Sequence, residues 1–316
     1  MSSLGELRTI AKQAKAQRGQ PKVKKRYKDN KAGFLFLLPW LIGIFGFTAG
    51  PMLASLYLAF TNYNLLQPPT WVGFDNFIRM WNDPRLWTSL EVTIIYVFVG
   101  VPILLALALA VAVLLDKGMR GLSFYRSIFY LPSLMGGSVA IAILWRQVFG
   151  YEGLVNGFLS WFGIQGEGWV AHPDYALWTL IALNVWTFGS PMVIFLAGLR
   201  QIPDMYYEAA EVDGASRVRQ FFTITLPLLT PIIFFNLVLQ IIFAFQNFTQ
   251  AYVVSGGTGG PSDSTLFFTL YLYQQAFNTP MSMGYASAMA WVLVLLIGIF
   301  TAVNFWLSKY WVFYDD

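Results

Sequence analysis

Six long stretches of this chain contain no Asp, Glu, Lys, Arg or His, and they constrain the fold more than any other feature. A helix needs about 20 apolar residues to cross the ~30 Å hydrocarbon layer of a membrane. Only 11% of the 316 residues are charged, against about 25% in a typical soluble domain. We therefore predict an all-α membrane protein with six transmembrane helices, at Gly33–Thr61, Val92–Leu115, Ser127–Trp145, Tyr175–Leu199, Leu228–Val254 and Tyr285–Ser308.

The distribution of basic residues sets the expected orientation of these helices. With six crossings, seventeen of the twenty Lys and Arg residues fall on the side of the N-terminus, and three, Arg79, Arg85 and Arg146, fall on the other. Cytoplasmic loops carry most of the Lys and Arg of a membrane protein. The pattern predicts that both termini are cytoplasmic. One further charge-free segment, Ser264–Met283, is interrupted by polar residues and is predicted to be a short external helix or a re-entrant piece.

Half of the basic residues precede Gly33. They are Arg8, Lys12, Lys15, Arg18, Lys22, Lys24, Lys25, Arg26, Lys28 and Lys31. A basic tail can bind nucleic acid or anionic lipid headgroups, but a cytoplasmic retention signal beside the first transmembrane helix is the simpler interpretation. A cleavable signal peptide is not expected, because the polar leader is long and no small-residue cleavage site follows the apolar stretch.

These observations predict five consecutive parts of the chain. The parts are a basic cytoplasmic tail (1–32), a first transmembrane helix (33–62), an extracytoplasmic segment (63–90), a five-helix core (91–309) and a cytoplasmic C-terminal tail (310–316). The core contains a polar loop at 200–227, between the fourth and fifth predicted transmembrane helices.

The polar loop has the pattern of a helix, a turn and a second helix. Good helix formers fill Tyr206–Val212, Asp213-Gly214 is a turn dipeptide, and a second short run follows at Ser216–Ile224. A loop that only had to return the chain to the membrane would be shorter. A docking site for a soluble partner explains the length, and an ordinary amphipathic surface helix is the alternative.

Seven positions of this loop carry a family resemblance. Glu208-Ala209-Ala210, Gly214, Ile224 and Leu226-Pro227 match the pattern E-A-A-x3-G-x9-I-x-L-P. The pattern is similar to the signature of permease subunits of binding-protein-dependent ABC importers.

Other segments resemble the carbohydrate-importing branch of that family, of the maltose, lactose and glycerol-3-phosphate type. These segments are Trp71–Phe77, Tyr130–Pro132, Gly153–Asn156 and Gly259–Ser262. Glu91 departs from the family pattern, which has Asn at that position, and its role stays open.

The resemblance implies an ABC-importer permease fold in which the polar loop is a coupling helix on a cytoplasmic ATPase. Glu208 would contact the ATPase, Ala209 and Ala210 would pack closely, and Asp213-Gly214 would form the turn. The implied partners are a second, similar permease subunit, an ATPase dimer and an extracytoplasmic solute-binding protein, in the cell membrane of a bacterium or archaeon. Membrane lipid surrounds the subunits, and no nucleic-acid partner is expected.

The sequence also indicates that the energy for solute transport comes from another subunit. No predicted transmembrane helix holds the ionisable group that ion-coupled carriers need. The chain also lacks the Gly-rich loop with Lys and Ser or Thr that binds ATP. We therefore expect a transporter subunit that moves its solute by alternating access, with no cofactor of its own and with ATP and Mg²⁺ on the partner ATPase. A non-sugar importer and a membrane scaffold or enzyme subunit are the alternatives.

Sugar binding requires amides or hydroxyls for hydrogen bonds and an aromatic face for the apolar side of the ring. The fourth and fifth predicted helices offer both kinds of group, at Asn184, Trp186, Gln246, Asn247 and Gln250. In related maltose-type permeases these helices line the translocation path. Buried amides also join neighbouring helices, and Trp often anchors a helix at the interface, so both interpretations stay open.

No catalytic or metal site is expected in this chain. His172 is the only histidine, and a metal site would need partner ligands. The external carboxylates are expected to be solvated or to face a binding protein, and they are Asp75, Asp83, Glu152, Glu167 and Asp174.

Overall fold

The computed structural model describes residues 30–116, 121–278 and 280–313. The basic tail before position 30 and the segment 117–120, which contains Lys117 and Arg120, lie outside these residues. Their cytoplasmic location therefore stays a prediction. The chain divides into two compact units, Met1–Ala54 and Ser55–Asp316. In the described part of the first unit, from Gly33 onward, every side chain is exposed or half-exposed.

The first part of the chain is helical apart from one short hairpin. A seven-residue π-helical segment, Gly43–Ala49, follows α1, and a five-residue one, Tyr96–Gly100, follows α4. The elements up to Asp116 are α1 (Asn30–Ile42), α2 (Gly50–Ala59), β1 (Thr61–Asn62), β2 (Thr70–Trp71), α3 (Asp75–Trp81), α4 (Pro84–Ile95) and α5 (Val101–Asp116).

The rest of the chain is also helical. A π-helical segment, Phe221–Thr225, joins α12 to α13, and a 3₁₀ turn, Pro261–Asp263, lies between α14 and α15. The helices are α6 (Leu122–Met135), α7 (Val139–Val148), α8 (Leu154–Ser160), α9 (Pro173–Trp186), α10 (Gly189–Leu199), α11 (Asp204–Val212), α12 (Arg217–Gln220), α13 (Leu226–Phe245), α14 (Thr249–Val254), α15 (Phe268–Phe277) and α16 (Met283–Trp311).

Four continuous helices are long and apolar enough to cross a membrane. They are Gly33–Ala59, Pro84–Asp116, Arg217–Phe245 and Met283–Trp311. Two bent pairs reach the same length and composition, α6 with α7 and α9 with α10, so the described residues offer up to six crossings. The long helix Pro84–Asp116 begins eight residues before Val92, the predicted start of this helix, because Asp83 and Pro84 form a helix start.

Three predicted transmembrane helices are interrupted in the structure. The stretch predicted at Tyr175–Leu199 consists of α9 and α10, which are bent by 41°. The stretch predicted as one helix at Ser127–Trp145 is instead α6 and α7, which meet at 98°. The stretch predicted at Leu228–Val254 ends its first helix at Phe245 and starts α14 at Thr249. Charge-free sequence identifies a stretch as apolar, but it carries no information about where the backbone turns, so the sequence predicted these three stretches without their breaks.

The helix starts have clear local causes. Asp83 caps α4 by accepting hydrogen bonds from the backbone N–H groups of Arg85 and Leu86, and Pro84 fills the first helical position, where no N–H is needed. Ser138 caps α7 through the N–H of Ile141. These caps satisfy N–H groups that have no partner within the helix.

A small antiparallel hairpin precedes α3. Thr61 pairs with Trp71 and Asn62 with Thr70, and the Phe60 ring stacks on Trp71 at 5.6 Å between centroids. The segment Ser264–Met283 contains α15, which packs against α16 and α4. That segment was predicted as a short helix or re-entrant piece, and a ten-residue helix is found there.

Candidate functional site

A cavity of about 400 Å³ lies where three interrupted helices meet. The interruptions separate α6 from α7, α9 from α10, and α13 from α14. Non-helical backbone at membrane depth is tolerated where it is buried in protein or lines a cavity. The polar residues that line this cavity are uncharged, and they are Ser133, Asn184, Thr187, Ser190, Gln240, Gln246, Asn247, Thr249 and Gln250.

The hydroxyl group of Ser133 in α6 binds the interruption between α9 and α10. Ser133 Oγ donates to the backbone oxygen of Thr187 at 2.7 Å and accepts from the backbone N–H of Ser190 at 2.9 Å. Gly136 permits the close approach, since a Cβ atom on it would lie 2.1 Å from Thr187 Cγ2. A carbonyl and an N–H group at the break between α9 and α10 are therefore both paired with Ser133 of α6.

The amide side chains divide into two groups by their hydrogen bonds. Asn247 Nδ2 donates to the hydroxyl of the buried Tyr96, and Gln250 Nε2 donates to the backbone oxygen of Gly136, both at 2.8 Å. Asn184 Nδ2 is buried without a hydrogen-bond partner within the described chain. An unpaired buried amide costs free energy unless a ligand or water reaches it, so Asn184 brings a buried, unused donor to this wall.

The structure places the five residues predicted for a sugar site in two locations. Asn184, Gln246, Asn247 and Gln250 line the cavity, and Trp186 does not. Trp186 lies at the end of α9, with its ring 6.1 Å from that of Trp145.

The sequence interpretation missed several cavity residues. They are Tyr96, Ser133, Thr187, Ser190 and Thr249. Gly136-Gly137 and the Gly189-Ser190-Pro191 run were signals of the breaks that bring them together.

The polar loop forms a helix, a turn and a second helix, as the sequence predicts. α11 ends at a Schellman motif, in which Ala215 N–H donates to the Ala210 oxygen and Gly214 N–H donates to the Glu211 oxygen. Gly214 has a φ of +74°, and a Cβ atom added to it would have no other atom within 4 Å. The turn therefore requires glycine for its backbone conformation and not for space.

The side chains singled out in the loop face outward. Glu208, Ala209, Asp213 and Gly214 are exposed, and Ala210 is half-buried. Large apolar side chains are exposed on the same loop, with Val212 at 89% and Val218 at 68%. Exposed apolar groups beside a polar helix are typical of a surface that a protein partner covers.

Two contacts join the loop to the long helices. The Tyr207 hydroxyl lies 2.8 Å from Thr225 Oγ1 at the start of the helix into α13. Arg200 Nε lies 3.6 Å from Asp116 Oδ1 at the end of α5. The loop is thus attached to two of the long apolar helices, Arg217–Phe245 and Pro84–Asp116.

A group of polar side chains, here named the Asp83 cluster, lies at the far end of the same long helix. It consists of Asp83, Arg85, Asp263, Tyr271 and Tyr285. Pro84–Asp116 is 33 residues long, about 50 Å at 1.5 Å per residue. The Asp83 cluster and the polar loop are thus near opposite ends of one membrane-crossing helix.

Asp83 is half-buried and hydrogen-bonded within the protein, so it is not the freely solvated carboxylate that the sequence predicts as one alternative. The other alternative, that it faces a binding protein, stays a prediction. Its Oδ2 accepts from the hydroxyls of Tyr271 at 2.6 Å and Tyr285 at 2.8 Å, while Oδ1 caps α4. Burial, and then the hydrogen bond to Asp83, raise the pKa of Tyr271 above its ordinary value of 10.0. Tyr271 therefore stays a neutral donor at any physiological pH.

No group of three or more His, Asp or Glu residues suited to a metal ion occurs in the described ranges. His172 caps α9, since its Nδ1 accepts from the N–H of Asp174. Glu91 lies exposed on α4, and its role stays open.

Comparison with known proteins identifies relatives over nearly the whole chain. The chain is 55% identical over 291 residues to the probable ABC transporter permease protein YesP of Bacillus subtilis strain 168, covering 92% of this chain and 94% of that protein. It is 34% identical over 290 residues to the lactose transport system permease protein LacF of Rhizobium radiobacter, covering 90% and 96%.

A solved structure has the same fold. It is a bacterial alginate ABC transporter in complex with an alginate pentasaccharide-bound periplasmic protein, and one of its chains matches with a TM-score of 0.75 at 21% identity, covering 92% of this chain and 98% of that one. The helical permease fold predicted from the sequence is thereby confirmed. The relatives are permease proteins of transport systems, so this chain is a multi-pass membrane transport subunit and not an enzyme.

A family model also matches residues 84–311, which contain the cavity, the polar loop and all residues of the Asp83 cluster except Asp83 itself. Its description is "Binding-protein-dependent transport system inner membrane component". With the family signature in the loop and relatives that cover most of the chain, the conclusion is direct. The chain belongs to the family of inner-membrane components of binding-protein-dependent transport systems.

Proposed function

We propose that this chain is one of two membrane subunits of an ATP-driven importer that moves a mono- or oligosaccharide into the cell by alternating access. The observation that carries the proposal is the uncharged cavity lined by amides and hydroxyls at three helix interruptions. Such groups form hydrogen bonds with sugar hydroxyls. One relative is a lactose transport system permease protein, and the structural neighbour is an alginate transporter, so both support the same solute class.

The cavity favours a neutral polyhydroxyl solute over a phosphate ester. Tight recognition of a phosphate usually relies on the positive charge of Arg or Lys side chains. No Arg or Lys lines the cavity within the described residues. Import of a non-sugar solute such as glycerol-3-phosphate stays the alternative that a solute screen decides.

The energy source in this proposal is a cytoplasmic ATPase dimer that binds ATP and Mg²⁺. The ATPase would contact the polar loop at Glu208, Ala209 and Ala210, with Asp213 and Gly214 shaping the turn. The outward-facing side chains and exposed Val212 support a docking role. Closure of the ATPase dimer would move α11, and the Tyr207–Thr225 and Arg200–Asp116 contacts would transmit that movement to the transmembrane helices.

The remaining partners in the proposal are a second, similar permease subunit and a solute-binding protein. The binding protein would deliver the solute on the side of the Asp83 cluster, with both termini and the polar loop on the cytoplasmic side. The structure of the alginate transporter contains a periplasmic protein with its saccharide, which supports a partner of that kind.

A solute screen tests the proposal. The complex is reconstituted with its partner subunits and its binding protein, and ATP hydrolysis is measured with a panel of neutral and acidic saccharides and with glycerol-3-phosphate. We expect stimulation by one or a few saccharides. Stimulation by glycerol-3-phosphate or another non-sugar solute alone, with every saccharide silent, would overturn the assignment of a carbohydrate.

A further inference from the structure

The loop between α14 and α15 holds two consecutive residues in a conformation that non-glycine residues rarely adopt. Ser262 has a φ of 54° and Asp263 a φ of 58°. The glycines of the same loop also have positive φ, but glycine adopts this region without a steric penalty. At Ser262 and Asp263 the Cβ atom crowds the backbone, so an interaction elsewhere must hold them there.

Arg85 provides that interaction. Its Nε donates to Asp263 Oδ2 at 2.9 Å and its Nη2 donates to Oδ1 at 2.7 Å. Two parallel bonds from a planar guanidinium fix both the position and the orientation of the carboxylate. Both side chains are partly exposed, and such pairs add little to global stability, so the effect of this pair is local to the loop.

The Arg85 side chain is attached to a well-braced part of the protein. It lies in the first turn of α4, which Asp83 caps. Its guanidinium carbon is 5.3 Å from the ring centroid of Tyr271, and the Tyr271 hydroxyl is bonded to Asp83. The loop is therefore the strained partner, and α4 is the fixed one.

The strained loop connects α14, which lines the cavity, to α15, which bonds a cavity residue. α14 begins with Thr249 and Gln250, and both line the cavity. On the other side of the loop, Thr269 of α15 donates from its hydroxyl to the backbone oxygen of Asn247. Gln274 Nε2 donates to the Gly257 oxygen at 2.9 Å, which fastens the loop to α15.

We infer that the Arg85–Asp263 ion pair positions α14 for transport by keeping the loop 255–263 in its strained conformation. When the pair breaks, Ser262 and Asp263 relax toward negative φ, and α14 is free to move away from the interruption at Gly136. Arg85 and Asp263 are positioning residues, since they act on the cavity through α14. The inference rests on the proposed role of the cavity as the solute path.

Cysteine labelling tests this inference, because the chain contains no Cys. Thr249→Cys reports on the cavity and Ser255→Cys on the end of α14, each labelled by a membrane-impermeant maleimide in the reconstituted complex. The cysteine-free chain with the same partner subunits gives the background. In Arg85→Gln and in Asp263→Asn, residues 262 and 263 should relax from their strained backbone conformation. The labelling rate should then rise by about threefold or more.

Two rescues and one control separate positioning from general loosening. The reversed pair, Arg85→Asp with Asp263→Arg, should restore slow labelling. Ser262→Gly should also restore it in the Asp263→Asn background, because glycine tolerates positive φ. Arg79→Gln is the control, since Arg79 bonds Gln275 and stacks on Tyr285 without contacting the loop.

Wild-type labelling rates in both single variants overturn the inference. A rise that neither rescue reverses, or an equal rise in the Arg79 control, overturns it as well. No solute is present in the labelling reaction, so an error in the proposed substrate leaves these outcomes unchanged. The two proposals can therefore fail independently.

Discussion

Gln250 donates a hydrogen bond from Nε2 to the backbone oxygen of Gly136, and this 2.8 Å contact joins two interrupted helices across the cavity. Gly136 follows the last residue of α6, where a carbonyl has no helical partner. Within a membrane such a group must be satisfied by the protein or by water. A side chain that lines the cavity thus also stabilises the interruption that forms it.

Gly136→Ala should destabilise the protein by about 1–3 kcal/mol, the usual effect of overpacking. The added methyl group would lie 2.1 Å from Thr187 Cγ2. Gly137→Ala is the matched control, because nothing lies within 4 Å of its Cβ position. Thermal unfolding in detergent measures both variants.

Thr187→Ser provides a rescue for the Gly136 variant. The substitution removes Cγ2 and keeps the hydroxyl, which donates to the backbone oxygen of Asn184 at 2.7 Å. The double variant should recover most of the lost stability. A double variant as unstable as Gly136→Ala would show that the backbone near Pro132, and not Thr187, limits the space.

Gly214→Pro should abolish substrate-stimulated ATP hydrolysis while the complex still assembles in the membrane. Proline cannot reach a φ of +74° and removes the N–H that donates to Glu211. Gly214→Asn should keep much of the activity, since Asn tolerates the left-handed region. Gly298→Ala, in an open helical position, is the neutral control, and full activity of the proline variant would contradict the proposed role of the turn.

Glu208→Lys should also abolish stimulated hydrolysis, because the proposed ATPase contact is lost while the fold of the chain is kept. Glu208 is exposed, and its carboxylate makes no hydrogen bond or ion pair among the described residues. Glu211→Lys changes the net charge equally on the same helix and should have a smaller effect. Hydrolysis rates are compared in purified complexes, and equal losses in both variants would point to net charge in place of a specific contact.

Asp83→Asn should lower stability by about 1–3 kcal/mol, because the amide NH₂ that replaces Oδ2 cannot accept the hydrogen bonds of two tyrosine hydroxyls. Tyr271 and Tyr285 donate to this carboxylate. Asp75→Asn is the matched control, since Asp75 is exposed in the first turn of α3. Thermal unfolding of the two variants checks the difference, and equal melting temperatures would mean that the Asp83 hydrogen bonds add little to stability.

The sequence predicted the features that depend on local chemistry. Runs without charge located the apolar helices, and turn residues such as Gly214 located the helix–turn–helix of the polar loop. Four of the five residues proposed for a sugar site line one cavity because polar amides in apolar helices face the interior.

The features it missed depend on contacts between distant parts of the chain. Asp83 meets Tyr271 and Tyr285 across 188 and 202 residues, and no local pattern encodes that meeting. Trp186, the last residue of α9, does not line the cavity, and its ring lies beside that of Trp145 across 41 positions of the chain. The bend after Met135 depends on the fit between Gly136 and Thr187, which only the packed structure shows.

The claim that solute passes through the amide-lined cavity is tested most directly by ATP-dependent uptake of the stimulating saccharide into proteoliposomes. Asn184→Leu removes the unpaired buried donor, and Ala182→Leu, an exposed position on the same helix, is its control. We expect uptake only with ATP, a fall of about tenfold in Asn184→Leu, corresponding to one lost solute hydrogen bond, and normal uptake in the control. Wild-type uptake by Asn184→Leu, or uptake without ATP, would contradict the claim.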